Sequence, residues 1–257
     1  MSSKPIAVIV GPGSKHDKGG SMKEIPPSSR WGLGGALSLR FAQGGYHVAL
    51  LARRKDVVEA VAEEVRNQGG TATSICCDVT DMESVSTAFK QIFSLGKVEV
   101  MIYNVAPPFP PGHEFPNLPA AHDIDPQFFD SAFNIGVTGC LRCNSQVVPK
   151  MIEQGKGTIL LSGATASLRG GKKFGSVAPV KAALRSYGQS LFQELAAQGV
   201  HVGHVIIDGV IESPNTKGWG TNVPLMDPAH IAEQYWNLHV QPRSVWSYEV
   251  RLKLLQL

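Results

Sequence analysis

The chain has 257 residues, of which 43% are hydrophobic and 18% are charged, and its formal net charge is +3. These values are ordinary for a one-domain globular protein, and the small charge argues against nucleic acid as a partner. No apolar run approaches the roughly 18 residues of a membrane helix, and no signal peptide is visible, so we expect a cytoplasmic protein with no membrane partner.

Strand-like and helix-like segments alternate along the chain, which predicts a parallel sheet covered by helices on both faces. The predicted strands are 6–10, 47–51, 71–76, 98–103, 157–161, 200–207 and 247–254. The predicted helices are 32–43, 57–67, 82–93, 128–151, 176–198 and 229–239. No repeat or linker divides them, so we predict one doubly wound α/β domain over residues 1–257.

Two groups of glycines lie between the first strand and the first helix. Gly11 and Gly13 leave the strand, and Gly32 and Gly34 open the helix. Glycines at such a turn let backbone N–H groups at a helix N-terminus approach a pyrophosphate. Residues 14–30 separate the two groups, and we interpret them as an insertion. Two interpretations of it stay open, a cationic flap over a bound phosphate and a surface excursion without a ligand.

The second strand ends in two arginines, Arg53 and Arg54. A cofactor with free ribose hydroxyls favours an acidic residue at this position, whereas a 2′-phosphate favours arginine. The sequence therefore predicts NADP(H), with NAD(H) the less favoured cofactor.

Further segments at strand ends resemble the short-chain dehydrogenase/reductase family over most of the chain, which implies a Rossmann-like fold. Asp78 and Val79 follow the third strand, where the family places an Asp-Val pair against the adenine. Asn104 follows the fourth, where it is expected to tie strands together. Ile211 and Ser213 follow the sixth, where the resemblance implies contacts with the nicotinamide carboxamide.

The resemblance also implies residues for catalysis. In the family a tyrosine gives a proton, a lysine four residues later lowers the pKa of that tyrosine and holds the nicotinamide ribose, and an asparagine supports a relay water. By this resemblance Lys181 fills the lysine position and Asn134 the asparagine position. Val177 stands at the tyrosine position and cannot ionise.

The family also uses a serine to orient the substrate carbonyl. The position thirteen residues before Val177 is Ala164, so a small shift would be needed for Ser162 or Thr165 to supply the hydroxyl, and we predict Ser162 as the catalytic residue. Asp208 replaces the proline that the family carries after the sixth strand, which makes it either an unconventional acid or a structural hydrogen-bonding group.

The sequence thus predicts an atypical NADP(H)-dependent oxidoreductase that acts on a small organic carbonyl or enone. The alternative is a catalytically inactive NADP(H)-binding sensor or scaffold. By analogy with the family we expect a homodimer or homotetramer. Neither the histidines nor the Cys140–Cys143 pair shows metal-ligand spacing, so no metal is expected.

Overall fold

The computed structural model describes residues 4–13, 27–113, 115, 117–214, 216 and 224–254. Most of the predicted insertion, residues 14–26, therefore lies outside the described residues. Within the described ranges, no helix is long and apolar enough to cross a membrane.

Seven parallel strands form the main sheet. They are β1 (Ile6–Val10), β2 (His47–Ala52), β3 (Thr71–Cys76), β4 (Val98–Tyr103), β5 (Gly157–Ala164), β6 (Val200–Asp208) and β9 (Glu249–Lys253). Their order across the sheet is β3-β2-β1-β4-β5-β6-β9. The chain reverses direction across the sheet between β1 and β4, so the carboxyl ends of these strands open a crevice where such sheets bind ligands. The predicted doubly wound fold is confirmed.

Eight helices are described. They are α1 (Pro27–Arg30), α2 (Gly32–Gln43), α3 (Lys55–Asn67), α4 (Met82–Leu95), α5 (Pro126–Phe133), α6 (Gly139–Gln154), α7 (Ala178–Leu195) and α8 (Pro228–His239). Three of them start at aspartates whose carboxylates accept hydrogen bonds from first-turn N–H groups, namely Asp81, Asp125 and Asp227. Such caps satisfy donors that have no partner within the helix.

The strands alternate their side chains between two apolar cores. In β1, Ala7 and Ile9 pack on one face of the sheet, whereas Ile6, Val8 and Val10 pack on the other. Helices α2, α3 and α8 cover the first face, and α4, α6 and α7 cover the second. Burial on both faces explains why these strands read as unbroken hydrophobic runs.

The long helix predicted over residues 128–151 is interrupted, which corrects the sequence prediction. A π-helical turn, Asn134–Thr138, separates α5 from α6. The hydroxyl of Tyr103 on β4 donates a 2.6 Å hydrogen bond to the carbonyl oxygen of Ile135 within this turn. Wide turns of this kind occur often at functional sites, and Ile135 does line the cleft described below.

A second, two-stranded parallel sheet was not predicted. It pairs β7 (Val210–Ile211) with β8 (Leu225–Met226) directly after β6. The pair fixes the backbone on both sides of residues 212–224, part of which lies outside the described residues.

Candidate functional site

One large cleft, with a volume of about 1080 Å³, opens at the carboxyl ends of the central strands. Its lining includes all but three of the residues that the sequence nominated. Those that line it are Gly11, Gly13, Gly32, Gly34, Arg53, Arg54, Asp78, Val79, Asn104, Ile211 and Ser213. Loops from opposite halves of the sheet therefore meet at one site.

The glycines at one end of the cleft hold a helix N-terminus against the loop after β1. A Cβ atom on Gly34 would lie 2.4 Å from the carbonyl oxygen of Gly11. Gly11 itself has a φ of +86°, a conformation that side chains rarely adopt. This close approach leaves α2 with its N-terminal dipole at the cleft, an arrangement that suits a phosphate anion.

Trp31 adds a donor that the sequence prediction missed. It stands immediately before α2, lines the cleft and is 4% exposed. Its buried indole Nε1 has no hydrogen-bond partner among the described residues. Because buried donors are almost always paired in folded proteins, the unpaired N–H fits a ligand that brings an acceptor to this end of the cleft.

Charged groups lie where β2 and β3 end. The Asp78 carboxylate accepts hydrogen bonds from the backbone N–H and the hydroxyl of Thr80, at 2.9 and 2.7 Å. Burial raises the pKa of Asp78, but these hydrogen bonds and the charges of Arg53 and Arg142 outweigh burial and lower it. Asp78 is therefore ionised, and Arg53 is an exposed cation at the rim.

Asn104 ties three strands together, in the structural role expected of it. Its Nδ2 donates to the carbonyl oxygen of Gly11 after β1, at 2.9 Å, and its Oδ1 accepts from Ser162 Oγ on β5, at 2.8 Å. Ser162 Oγ also lies 2.8 Å from the hydroxyl of Tyr235 on α8. Ser162 is 5% exposed and does not line the cleft, so its hydroxyl serves a contact between elements in this structure.

The other two nominated catalytic residues are also absent from the cleft lining. Lys181 on α7 is 8% exposed, and its Nζ donates a 2.8 Å hydrogen bond to the carbonyl oxygen of Ser162. Asn134 begins the π-helical turn, and its Oδ1 accepts from Arg142 Nη1 at 2.8 Å. Their catalytic roles remain predictions from the family resemblance.

The remaining wall of the cleft is mostly apolar. Ala164 and Val177, which the sequence resemblance assigned to the serine and tyrosine positions, both line it. Thr165, rather than Ser162, brings a hydroxyl to this wall, and that hydroxyl donates a 2.5 Å hydrogen bond to Asp208 Oδ1. Hydrogen bonds from Thr165 and Arg251 lower the pKa of Asp208. Asp208 is therefore a carboxylate at neutral pH and not a proton donor.

No tyrosine lines the cleft, although all five lie within the described residues. Their hydroxyls all contact other groups of the protein: Glu99 and His239 for Tyr46, the Ile135 carbonyl for Tyr103, Asn144 for Tyr187, Ser162 for Tyr235 and the Arg185 carbonyl for Tyr248. Burial raises the pKa of all five phenols. The structure therefore brings no phenol of the chain into the cleft.

A family model described as short chain dehydrogenase matches residues 29–223, which is most of the chain. The chain belongs to this family.

Curated relatives of this short-chain dehydrogenase include two reductases. It is 27% identical over 187 residues to a 3-oxoacyl-acyl-carrier-protein reductase of Staphylococcus aureus, covering 72% of this chain and 72% of that protein. It is 27% identical over 174 residues to a fatty acyl-CoA reductase of Acinetobacter baylyi, covering 66% of this chain. The match spans 56% of the Acinetobacter protein, little more than half of its length.

Solved structures share the fold of this short-chain dehydrogenase almost from end to end. A short-chain dehydrogenase from Rhodopseudomonas palustris superposes with a TM-score of 0.76 at 24% identity, covering 99% of this chain and 100% of that one. A metagenomic short-chain oxidoreductase, solved in complex with NADP, gives a TM-score of 0.76 at 20% identity with the same coverage.

Proposed function

We propose that this protein is an atypical short-chain dehydrogenase/reductase that binds NADP(H) and acts on a small organic carbonyl or enone. The observation that supports this most directly is the cleft itself. One part of the cleft is lined by the glycines at the N-terminus of α2 and by two arginines. The other part is apolar and is lined by Ala164 and Val177. A dinucleotide needs the first part, and a hydride acceptor with an apolar body fits the second.

The chain's own residues would divide the binding of the nucleotide among them. The N-terminus of α2 would hold the pyrophosphate, Arg53 and Arg54 the 2′-phosphate, and Asp78 with Val79 the adenine. A structural relative of this chain that was solved in complex with NADP supports this choice of cofactor.

The nicotinamide end would lie at the other side of the sheet's crevice. Ile211 and Ser213 would contact its carboxamide, and Lys181 would hold its ribose. When bound, the nicotinamide supplies or accepts the hydride, and the apolar wall excludes water from the reacting carbon. We also propose that the protein works in the cytoplasm as a dimer or tetramer whose subunits pair through α6 and α7.

A second function has an observation in its favour. The missing phenol at position 177 and the missing hydroxyl at position 164 remove the groups that polarise a carbonyl in the family. A protein with that loss and an intact nucleotide cleft could serve as an NADP(H)-binding sensor or scaffold without turnover. Tight binding of NADPH, together with no oxidation of it by aldehydes, ketones, quinones or enones, would favour this alternative.

The cofactor is tested by calorimetric titration of NADPH and NADH into the wild type and Arg53→Ala. Loss of a charged hydrogen bond to phosphate costs about 1.5–3 kcal/mol, roughly a 10- to 100-fold rise in Kd. We expect this rise for NADPH and almost none for NADH. Lys90→Ala, which removes an exposed charge outside the cleft, is the matched control. Equal losses for both nucleotides, or no binding of either, would contradict the proposal.

A further inference from the structure

A chain of polar groups lies in the otherwise apolar wall of the cleft. Strands β5 and β6 pair as far as Ala164 and Ile207, so the next residues, Thr165 and Asp208, stand side by side at the ends of these strands. Both line the cleft. Thr165 Oγ1 donates to Asp208 Oδ1 at 2.5 Å, and Asp208 Oδ2 accepts from Arg251 Nε and Nη2 at 3.1 and 2.5 Å.

The charges around Asp208 fix the direction of these hydrogen bonds. Arg251 and Lys253 on β9 and the hydroxyl of Thr165 face its carboxylate, and together they lower the pKa of Asp208. Asp208 is therefore an acceptor at neutral pH, and the single proton of Thr165 is committed to it. A hydroxyl whose proton is taken can offer only its lone pairs to a ligand. The wall at Thr165 thus selects a ligand that donates a hydrogen bond.

The surroundings define the rest of such a ligand. Ile135, Val177 and Phe174 line the same cleft, as does Phe115, whose ring stands edge-on to that of Phe174 with centroids 6.1 Å apart. These side chains favour an apolar body. A carbonyl oxygen cannot donate to Thr165, whereas the hydroxyl of the corresponding alcohol can.

We propose that the cleft takes the alcohol member of the carbonyl–alcohol pair, an apolar alcohol, and that Thr165 and Asp208 take up its hydroxyl proton. The inference rests on the proposed function, because it needs an oxidised nicotinamide nucleotide as hydride acceptor. Thr165 is thereby a catalytic residue that touches the substrate, and Asp208 is the base behind it.

The step balances with the groups named. With an oxidised nicotinamide nucleotide bound as hydride acceptor, the substrate C–H bond would break, its electron pair would leave with the hydride, and the C=O bond would form. The substrate O–H proton passes to Thr165 Oγ1 as the Thr165 proton passes to Asp208 Oδ1. Asp208 then releases the proton to solvent beside Arg251, whose side chain is 49% exposed.

A purely structural role for the same contacts is the competing explanation, because they also tie the ends of β5, β6 and β9 together. Four variants separate the two: Thr165→Val removes the hydroxyl at constant shape, Thr165→Ser keeps it, and Asp208→Asn removes the base. Glu233→Gln is the matched control. Glu233 on α8 accepts two hydrogen bonds from the guanidinium of Arg40 on α2, and neither residue lines the cleft.

The probes are 1-phenylethanol and acetophenone, titrated into the protein saturated with NADP⁺. We expect the alcohol to bind more tightly than the ketone. Thr165→Val should weaken binding of the alcohol about tenfold, as expected for the loss of one hydrogen bond. It should leave the affinities for NADP⁺ and acetophenone unchanged. Thr165→Ser should restore the preference, and Glu233→Gln should leave it intact.

Oxidation of 1-phenylethanol supplies a second readout. Asp208→Asn should slow NADP⁺ reduction by a factor of about 10² to 10⁴, the usual contribution of a general base to the rate. The affinity for the alcohol should not change. Since Asp208 is ionised well below neutrality, the wild-type rate should stay flat through neutral and mildly alkaline pH. A rate that rises with pH across the neutral range would assign the base to another group and overturn the inference.

Failure of the two proposals gives different results. If NADP⁺ does not bind, the proposed function is wrong and the inference falls with it. If NADP⁺ binds but the alcohol neither binds nor is oxidised, or the ketone binds as tightly, only the inference is wrong. A Thr165→Val protein that loses thermal stability but keeps the alcohol preference would show that the contacts are structural.

Discussion

At the scale of single residues, position 177 is where the proposed alignment with the family can be tested. Val177 precedes α7 and lines the cleft, and Lys181 follows one turn later with its Nζ held by the Ser162 carbonyl. The family's proton donor would stand at this point, next to the wall that Ala164 completes. Restoring the two missing groups therefore tests the alignment on which the catalytic assignments depend.

We expect Ala164→Ser combined with Val177→Tyr to raise NADPH-dependent reduction of small aldehydes and ketones. A correctly placed general acid contributes about 10² to 10⁴ in rate. Turnover is measured by NADPH oxidation under saturating cofactor.

The matched control is Ala164→Ser with Val177→Phe, which fills the same space without a hydroxyl. A tyrosine protein that folds and binds NADPH, yet is no faster than the phenylalanine protein, would show that position 177 does not face the reacting carbonyl.

The hydroxyl groups near position 164 show what sequence could and could not predict at this scale. The strand was predicted to end at residue 161, which left both Ser162, the predicted catalytic residue, and Thr165 as sources of the hydroxyl. In the structure β5 continues to Ala164, so Ser162 is a strand residue on the same face as Leu160 and contacts Tyr235 across the core. Strand length depends on pairing with β6, which is information from another part of the chain.

At the scale of secondary-structure elements, local signals were sufficient to predict the bounds of several segments. The predicted helix over residues 32–43 and strands over 71–76 and 98–103 have the observed bounds. The π-helical turn was missed because its cause is not local. The Tyr103 hydroxyl inserts from β4, and Gly139 leaves room for it, since a Cβ there would lie 2.6 Å from that oxygen.

The contact between α2 and the loop after β1 gives a prediction at this scale. A Cβ on Gly34 would meet the backbone of Gly11 and Pro12 at 2.4–2.6 Å. Backbone cannot yield as a flexible side chain can, so Gly34→Ala should push the helix away from the loop and cost about 1–3 kcal/mol in stability. Displacement of the helix N-terminus should also weaken NADPH binding by about tenfold or more.

Thermal unfolding and NADPH titration measure the two effects. Gly170→Ala is the control, because a Cβ there meets nothing within 4 Å and its φ is not in the left-handed region. If the Gly34→Ala protein is destabilised but its NADPH affinity is unchanged, the helix N-terminus does not contribute to nucleotide binding as predicted.

At the scale of the whole molecule, alternation of segments was enough to predict the sheet and its two covered faces. The same reasoning could not predict which histidines become buried in the folded protein. His201 and His204 on β6 are fully buried, and His239 at the end of α8 lies between Tyr46 and Thr158, with ring nitrogens 2.7 and 3.0 Å from their hydroxyls. Burial lowers the pKa of all three imidazoles, to about 4 for His204 and His239.

These imidazoles make the fold sensitive to mild acid. The folded protein keeps His239 neutral down to about pH 4, whereas the unfolded chain protonates it near its ordinary value of 6.5. The unfolded state therefore binds more protons in this window, and the free energy of unfolding falls as pH drops from about 6.5 towards 4. Between about pH 6.5 and 5, one such histidine accounts for roughly 1.5 kcal/mol of that loss.

Urea unfolding at about pH 6.5 and about pH 5 tests the assignment, since carboxylates titrate mainly below this window. His239→Gln should reduce the pH-dependent loss by about 1.5 kcal/mol, whatever its effect on stability at neutral pH. His230→Gln is the control, because it removes an imidazole that is 88% exposed. If the wild type and His239→Gln lose equal stability between the two pH values, His239 is protonated in the folded protein as readily as in the unfolded chain. The acid sensitivity would then have to come from His201, His204 or another buried group.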